Sequence, residues 1–265
     1  MSASFQQQLK QLFSQQPLNR IYQDEKELID RSLNNLFGYF ILQLGCISQE
    51  NLMQHSRVNI KVLLDSVYPA DQVILEGVQF VQSDLDYLPI GKDKVDQILL
   101  PHTLETADDP LYLLRQLDAM LLPEGHLVIT GFNPKGCWAW RHRWFHRNRL
   151  MKSANLILPR RIKEWLGVLG YEIQKLDYTP IRCSSSHCES GFWRQLLERI
   201  ERLMQKLGFE FGNAYCLVAK KKVDAPTLVG VRWRMPRWQS IRGGALSNKV
   251  MGAKSESAMK NLHKK

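Results

Sequence analysis

Several features that would settle a protein's class are scarce in this 265-residue sequence. No apolar run approaches the roughly 20 residues that a membrane-spanning helix needs. The first residues, MSASFQQQLKQLF, lack the basic head and apolar centre of a secretory signal. The five cysteines are scattered and form no CxxC pair, so neither a zinc site nor a redox dithiol is predicted. These absences predict a cytoplasmic protein with reduced thiols and no metal.

Acidic residues are scarce only at the C-terminal end. Residues 221–265 carry 11 Lys and Arg against two acidic residues, whereas residues 1–220 carry 25 against 24. The stretch VRWRMPRWQSIR mixes arginine with tryptophan, a combination that can pair phosphates and stack bases or lie on an anionic lipid surface. Residues 221–265 are therefore predicted to be a flexible tail, which either makes such contacts or is a solvated basic end.

Helix and strand patterns alternate along the rest of the chain. Apolar residues between Leu18 and Phe37 recur at the 3.6-residue spacing of an amphipathic helix, which Gly38 is expected to end. Short apolar segments predict strands at 40–44, 59–65, 77–84, 95–102, 125–132, 171–179 and 213–222. Further helices are predicted at 49–55 after an N-cap at Ser48, at 108–121, at 158–170 and at 191–208. This alternation predicts a parallel sheet with helices on both faces.

A family resemblance emerges in residues 83–134, SDLDYLPIGKDKVDQILLPHTLETADDPLYLLRQLDAMLLPEGHLVITGFNP. An aspartate precedes a Leu-Pro turn, an aspartate-bearing strand leads to a Thr-Leu-Glu loop, and an Asp-Pro helix start precedes a Pro-Glu-Gly turn. In this order the motifs resemble class I S-adenosylmethionine-dependent methyltransferases of the small-molecule type, with a type 11 methyltransferase-like domain of a bacterial branch. Several linked motifs are more specific than a single glycine pattern.

The resemblance covers about residues 36–220 and implies a Rossmann-like, seven-stranded, mostly parallel sheet whose last strand is antiparallel. The cofactor, S-adenosylmethionine, would then lie across the carboxyl ends of the first strands. The implied organisation is an N-terminal helical extension at 1–37, a methyltransferase-like domain at 38–220 and the basic tail at 221–265. The implied activity is methyl transfer to an unidentified small-molecule or lipid-like acceptor.

The loop after the first strand departs from the family pattern. Gly45 supplies a turn that lets the methionine part of the cofactor pass close to the backbone, at the N-terminus of the predicted helix after Ser48. The family usually has an acidic residue where Gln43 stands and further glycines where Ile47 and Gln49 stand. Gln43 therefore cannot offer a charge to the cofactor's ammonium group.

Two aspartates and one leucine are further candidates for cofactor binding. Asp65 ends the second strand and either holds the ribose diol or caps a turn. Asp84 corresponds to the position that accepts a hydrogen bond from the adenine amine, with the Leu85 backbone alongside, and the alternative for Asp84 is an Asx turn.

The loop after the fourth strand faces the methyl group and the acceptor in this family. His102 is a candidate general base, since its ordinary pKa near 6.5 suits proton transfer at neutral pH, but it could equally serve a structural role. Thr103 is predicted to bind the cofactor, and Glu105 lies in the same loop. Asp96, which opens the fourth strand, is expected to be structural.

The sequence contains no catalytic constellation, and methyl transfer from a sulfonium does not require one. The reaction is an in-line displacement that depends mainly on alignment. The motif SSSHCE (184–189) is interpreted as a polar loop. Residues 133–152 are rich in tryptophan and arginine. They form a lid over the acceptor, contact nucleic acid or lipid headgroups, or are an amphipathic helix docked on the sheet. A catalytically silent binding protein of the same fold is the alternative function, and an RNA methyltransferase is disfavoured by the nearly neutral body.

Overall fold

The structure is a computed structural model that describes residues 9–11, 13, 18–48, 50–68, 76–84, 87–136, 139, 155–180 and 212–223. The chain divides into two units, and every described residue belongs to the first, Met1–Asp224. The predicted helix at 191–208, the loop at 184–189, most of the segment at 133–152 and the basic tail lie outside the described residues. The predicted boundaries after residues 37 and 220 stay predictions.

Seven strands form one sheet in the order β3-β2-β1-β4-β5-β7-β6. They are β1 (Phe40–Leu44), β2 (Ile60–Asp65), β3 (Gln79–Gln82), β4 (Val95–Pro101), β5 (Leu121–Phe132), β6 (Tyr171–Tyr178) and β7 (Ala214–Lys221). β7 runs antiparallel to both β5 and β6, whereas the pairs among β1 to β5 are parallel. This confirms the predicted mostly parallel sheet with an antiparallel last strand. Strands covered on both faces read as continuous apolar runs, which is why sequence patterns located them.

Four helices of the described chain are α1 (Leu18–Leu33), α2 (Thr103–Thr106), α3 (Pro110–Met120) and α4 (Pro159–Val168). α1 packs on one face of the sheet, in an apolar cluster that includes Ile41 and Leu99. α3 and α4 pack on the other face, in a cluster that includes Leu42 and Leu100. Neighbouring residues of one strand point to opposite faces, so the prediction of helices on both faces is confirmed.

α1 ends earlier than the apolar spacing predicts. It stops at Leu33, where the side-chain amide of Asn35 donates to the carbonyl of Arg31 at 3.1 Å. Gly38 therefore does not cap the helix. A Cβ at Gly38 would lie 2.6 Å from the Cβ of Asp96, so the glycine allows the chain before β1 to approach β4 closely.

Asp96 has the structural role that the sequence predicts. Its Oδ2 accepts hydrogen bonds from the backbone N–H groups of Tyr39, at 3.1 Å, and Phe40, at 3.0 Å. These two donors lie where the chain enters β1. Asp96 thus fixes the start of β1 against β4.

The prediction of a helix after Ser48 is wrong. Residues 52–55 form turns, and no α-helix occurs in the described residues of 45–59. The Ser48 hydroxyl donates to the carbonyl of Glu50 at 3.0 Å, and Oδ1 of Asn51 accepts from the N–H of Met53 at 2.8 Å. Short side chains that bond the nearby backbone in this way compete with helical hydrogen bonding.

Candidate functional site

The carboxyl ends of β1 and β4 form the natural binding crevice of this sheet. β1 lies between β2 and β4, so the chain leaves β1 toward one edge of the sheet and leaves β4 toward the other. Ligands of open α/β sheets bind at such a topological switch point, outside the carboxyl ends of the strands. The residues that follow β1, β2, β3 and β4 are therefore the first candidates for a site.

Gly45 makes the sharp turn that the sequence predicts at the end of β1. Its φ angle is 89°, in the region that favours glycine, and its N–H donates to the carbonyl of Leu64 at 2.8 Å. The side-chain amide of Gln43 donates to the carbonyl of Gly45 at 2.9 Å. The buried Gln43 is thus engaged within the turn itself.

Asp65 lies at the carboxyl end of β2 and contacts the post-β1 segment, which we define as residues 45–50. Its Oδ2 accepts from the N–H of Cys46 at 2.9 Å, and its Oδ1 accepts from the N–H of Val67 at 3.4 Å. Burial raises the pKa of the Asp65 carboxyl, and these N–H donors oppose the rise. The carboxylate therefore caps the turn, as one interpretation of the sequence predicts. It also keeps lone pairs that could accept from a ligand hydroxyl, as the other interpretation requires. Its ribose contact stays a prediction.

Asp84 follows β3 on the same edge of the sheet and is exposed. Its backbone carbonyl accepts from the N–H of Tyr87 at 3.2 Å, which closes a turn. The exposed carboxylate of Asp84 takes no part in this hydrogen bond. Leu85 lies outside the described residues, so the predicted backbone contact beside Asp84 stays a prediction.

His102 is the centre of a buried cluster of three ionisable side chains. Its Nδ1 lies 2.9 Å from Oε2 of Glu105, and its Nε2 lies 3.0 Å from Oε2 of Glu25 on α1. All three side chains are almost completely buried. Burial alone would lower the pKa of His102, but the carboxylates of Glu25 and Glu105 outweigh it and raise the pKa to about 10.

This geometry bears on the predicted roles of His102. Both ring nitrogens are engaged by carboxylates, and the ring also lies 4.2 Å, between centroids, from that of Phe132. The arrangement supports the structural interpretation of His102 because neither nitrogen faces a free position. General-base action remains a prediction that would require this cluster to open.

Glu105 connects the His102 cluster to β5. Its Oε1 accepts the backbone N–H of Phe132 at 2.6 Å. Burial raises the pKa of Glu105, and the charge of His102 opposes the rise. A Cβ at Gly131 would lie 2.8 Å from the same carboxylate oxygen and 2.6 Å from the hydroxyl of Tyr215. A glycine at 131 is therefore needed to admit both side chains.

Thr103 joins the ends of β1 and β4. Its buried hydroxyl donates to the carbonyl of Leu44 at 2.5 Å. This bond holds the first residue of α2 beside the turn at Gly45. The predicted contact of Thr103 with a cofactor stays a prediction.

α1 covers the post-β1 segment. Lys26 forms an ion pair with Glu50, and Ile47 is fully buried in the apolar cluster that contains Ile21 and Tyr22 of α1. Burial raises the pKa of the Tyr22 phenol, and the charges of Glu50 and Glu25 raise it further. These contacts place one side of α1 directly over the end of β1.

Glu25 is the residue of this region that the sequence patterns missed. A signal for it exists, because position 25 falls on the apolar stripe of α1 between Tyr22 and Leu28, where a carboxylate is out of place. A charged residue at a buried helical position usually has a partner. That partner is His102, which lies 77 residues away in the sequence, so only the packing of the chain shows the pairing.

Comparisons with known proteins agree with the fold and with the sequence motifs. Residues 53–129 match the family model of a methyltransferase domain. Solved structures with the same fold include S-adenosylmethionine-dependent methyltransferases of Thermotoga maritima and Mesorhizobium loti. Residues 53–129 therefore resemble a methyltransferase domain, and the sheet has the fold of S-adenosylmethionine-dependent methyltransferases.

The similarity to individual relatives is distant. The Thermotoga maritima structure has a TM-score of 0.53 at 14% identity and matches over 81% of this chain and 100% of its own. The Mesorhizobium loti structure has a TM-score of 0.51 at 16% identity, over 75% of this chain and 98% of its own. Protein YafS of Escherichia coli (strain K12) is 30% identical over 164 residues, which span 59% of this chain and 63% of YafS.

The adenosine half of S-adenosylmethionine fits the residues present. Asp65 and Asp84 provide carboxylates at neighbouring strand ends, and the adenosine offers O–H and N–H donors to them. The methionyl half would meet an uncharged Gln43 and a post-β1 segment whose described residues lead into turns instead of a helix.

Among the described residues, no helix is both long and apolar enough to cross a membrane. The same part of the chain holds no group of three or more His, Cys, Asp or Glu side chains arranged to bind a metal ion.

Proposed function

We propose that the chain transfers the methyl group of S-adenosylmethionine to a small-molecule or lipid-like acceptor. The observation that carries the proposal is the placement of Asp65 and Asp84 at the carboxyl ends of adjacent strands, with Asp65 bonded to the turn after β1. This arrangement suits an adenosine-containing ligand that lies across the carboxyl ends of the strands. Reduced, buried thiols such as Cys46 and Cys216 suit a cytoplasmic enzyme.

Each predicted residue has a proposed task. The Asp65 carboxylate accepts the ribose hydroxyls, and Asp84, with the Leu85 backbone, binds the adenine amine. Gly45 makes the turn at which the methionine part of the cofactor passes close to the backbone, and Thr103 fixes the loop after β4 against that turn. When bound, S-adenosylmethionine supplies a methyl group on a positively charged sulfur. The positive charge makes the thioether a good leaving group without further activation. The residues therefore need mainly to bind, orient and shield the reactants.

Calorimetric titration of the purified chain tests this proposal. S-adenosylmethionine and its demethylated product, S-adenosylhomocysteine, are titrated separately at moderate salt. Micromolar binding of both supports the proposal and justifies screening small-molecule and lipid-like acceptors for methylation. No heat and no thermal stabilisation by either compound would overturn it.

A binding protein without catalytic activity is the second candidate. It is favoured by the post-β1 segment, in which Ile47 is buried beneath α1, and by the lack of an α-helix in the described residues of 45–59. The basic tail would then bind nucleic acid or an anionic membrane surface. We expect such binding to weaken steeply with salt and to be lost when Arg232, Arg234 and Arg237 are changed to Gln. Salt-dependent binding by a chain that ignores S-adenosylmethionine would select this candidate.

A further inference from the structure

The edge of the sheet opposite the switch point carries neighbouring apolar side chains that are exposed. Phe37 and Tyr39 precede β1 and Ile60 begins β2, so all three lie at the amino ends of adjacent parallel strands. Their exposed fractions are 69%, 77% and 44%. The N–H of Ile60 donates to the carbonyl of Tyr39 at 3.0 Å, which holds these two residues side by side. We call the three residues the amino-edge patch, because a group of exposed apolar residues, unlike a single one, indicates an interaction surface.

Positively charged side chains lie on both sides of the amino-edge patch. The guanidinium carbon of Arg57 lies 5.4 Å from the ring centroid of Phe37, in a cation–π arrangement. Lys92 and Lys94 are exposed in the loop before β4, the strand next to β1, with the exposed Asp93 between them. The three cations outnumber this acidic residue, so the surroundings of the patch suit an anionic partner.

Asp96 adds little negative charge to the surface of the amino-edge patch. Its carboxylate oxygen Oδ2 accepts the backbone N–H groups of Tyr39 and Phe40, at 3.1 and 3.0 Å. These hydrogen bonds direct the carboxylate toward the backbone at the start of β1 and partly neutralise it.

The antiparallel direction of β7 brings the chain to the same edge of the sheet. β7 ends where β5 begins, and the ammonium group of Lys221 donates to the carbonyl of Leu121, the first residue of β5, at 3.1 Å. Residues 221–265 carry 11 Lys and Arg against two acidic residues. The basic tail is therefore joined to the sheet at the edge that carries the patch. The candidate cofactor residues Asp65 and Asp84 follow strands at the opposite edge.

We propose that the amino edge of the sheet docks on an anionic membrane surface. Phe37 and Tyr39 enter the interfacial layer of the lipids, where aromatic side chains are favoured, and Arg57 pairs with lipid phosphates. Ile60 favours lipid over nucleic acid, because unpaired bases bind by stacking on aromatic rings and gain little from an aliphatic side chain. Stable binding to a membrane surface usually needs two signals, and the patch with the basic tail provides them.

This orientation has a consequence for the candidate site. The carboxyl ends of β1 to β4 lie at the edge that faces away from the membrane, so ligands reach the switch point from the aqueous side. The inference does not depend on the proposed function, because the patch and the candidate site lie at opposite edges of the sheet.

Sedimentation of the full chain with lipid vesicles tests the inference. Vesicles of phosphatidylcholine with phosphatidylglycerol are compared with vesicles of phosphatidylcholine alone. We expect binding to the anionic vesicles only, and a loss of about 10-fold or more in affinity when Phe37→Ser and Tyr39→Ser are combined. The matched control combines Tyr87→Ser and Tyr112→Ser, since these tyrosines are 82% and 50% exposed and lie at the carboxyl edge. The control should bind within about twofold of the wild type.

The other outcomes overturn the inference. The wild-type chain should not ignore anionic vesicles, and the patch variant should not bind them as well as the wild type does. Equal binding by the patch variant, together with complete loss when Arg232, Arg234 and Arg237 are changed to Gln, would mean that the basic tail acts alone. An equal loss of single-stranded RNA binding in the patch variant would assign the edge to nucleic acid instead. Thermal melting checks folding, and Tyr39→Ser alone replaces the double variant if that variant is unfolded.

Discussion

The Nε2 atom of His102 lies 3.0 Å from Oε2 of Glu25, and both side chains are fully buried. This contact joins the helix before the sheet to the loop after β4. His102 falls within the matched methyltransferase domain at 53–129, whereas Glu25 precedes it. The helix α1 therefore contributes a buried carboxylate to the cluster around His102.

The stability of the protein should depend on the protonation of His102. Its pKa is raised from 6.5 to about 10, so its stabilising contribution is complete below pH 6.5 and is lost as the pH rises through 10. Between pH 7 and pH 8.5, we expect the free energy of unfolding to fall in the wild type, by at most about 1.4 kcal/mol per pH unit. Denaturant unfolding at both pH values measures this slope.

The variant His102→Gln is the reference for that slope. The raised pKa values of Cys216, to about 12, and Tyr215 also favour unfolding at high pH, mainly above pH 8.5, and both proteins share them. His102→Gln should therefore show a flatter profile. Parallel profiles of the two proteins would mean that His102 is neutral in the folded state.

The glycine at 131 should be intolerant of a side chain. In Gly131→Ala the added Cβ meets Tyr215 and the Glu105 carboxylate within 2.8 Å, which should cost about 1–3 kcal/mol of stability through overpacking. Gly167→Ala is the matched control, because no atom lies within 4 Å of a Cβ there and the site is inside α4. That change should stabilise by about 0.5–1 kcal/mol. Equal melting temperatures for the two variants would contradict the packing around Glu105.

Removing the Asp84 carboxylate should weaken cofactor binding without unfolding the protein. Asp84 is exposed, so Asp84→Ala should leave the melting temperature nearly unchanged. The loss of one hydrogen bond to a charged group should cost on the order of 1.5–3 kcal/mol in S-adenosylhomocysteine affinity, measured by calorimetry. Glu164→Ala, at an exposed position of α4, is the control and should bind like the wild type. Undiminished affinity in Asp84→Ala would mean that the adenine lies elsewhere.

The bonds from Asp96 to the start of β1 should contribute measurably to stability. Asp96→Ala leaves the N–H groups of Tyr39 and Phe40 without this acceptor, and we expect a loss of about 1–3 kcal/mol in the free energy of unfolding. Asp96→Asn keeps one oxygen acceptor and should lose less. Chemical denaturation of the three proteins measures the order, and a loss as large in Asp96→Asn as in Asp96→Ala would argue against these two bonds.

Local patterns in the sequence predicted most of the framework. Buried strands such as β1 and β4 are continuous apolar runs, and Pro110 with Asp109 marks the start of α3, where the Asp109 carboxylate accepts the N–H groups of Leu111 and Tyr112 at 3.0 Å. Gly170, with a φ angle of 82°, ends the α4 region as predicted. These features depend on neighbouring residues, so a sequence contains them directly.

The segment after Ser48 shows where local patterns fail. Its polar residues suit an N-cap, but the same side chains can also bond the turn that forms, and Leu52 and Met53 are buried by packing against the sheet and α1. Propensity does not distinguish these two outcomes. Tertiary contacts stabilise the turn in place of the helix.

The sequence by itself determined the class of fold, the positions of the strands and the acidic residues Asp65 and Asp84 at strand ends, because periodicity, turn chemistry and linked motifs are local. Only the tertiary structure decided that Glu25 meets His102, that Gln43 is engaged by its own turn and that α1 covers the end of β1. The physical reason is that a buried charge acquires its partner through packing, and packing joins residues that are distant in the chain.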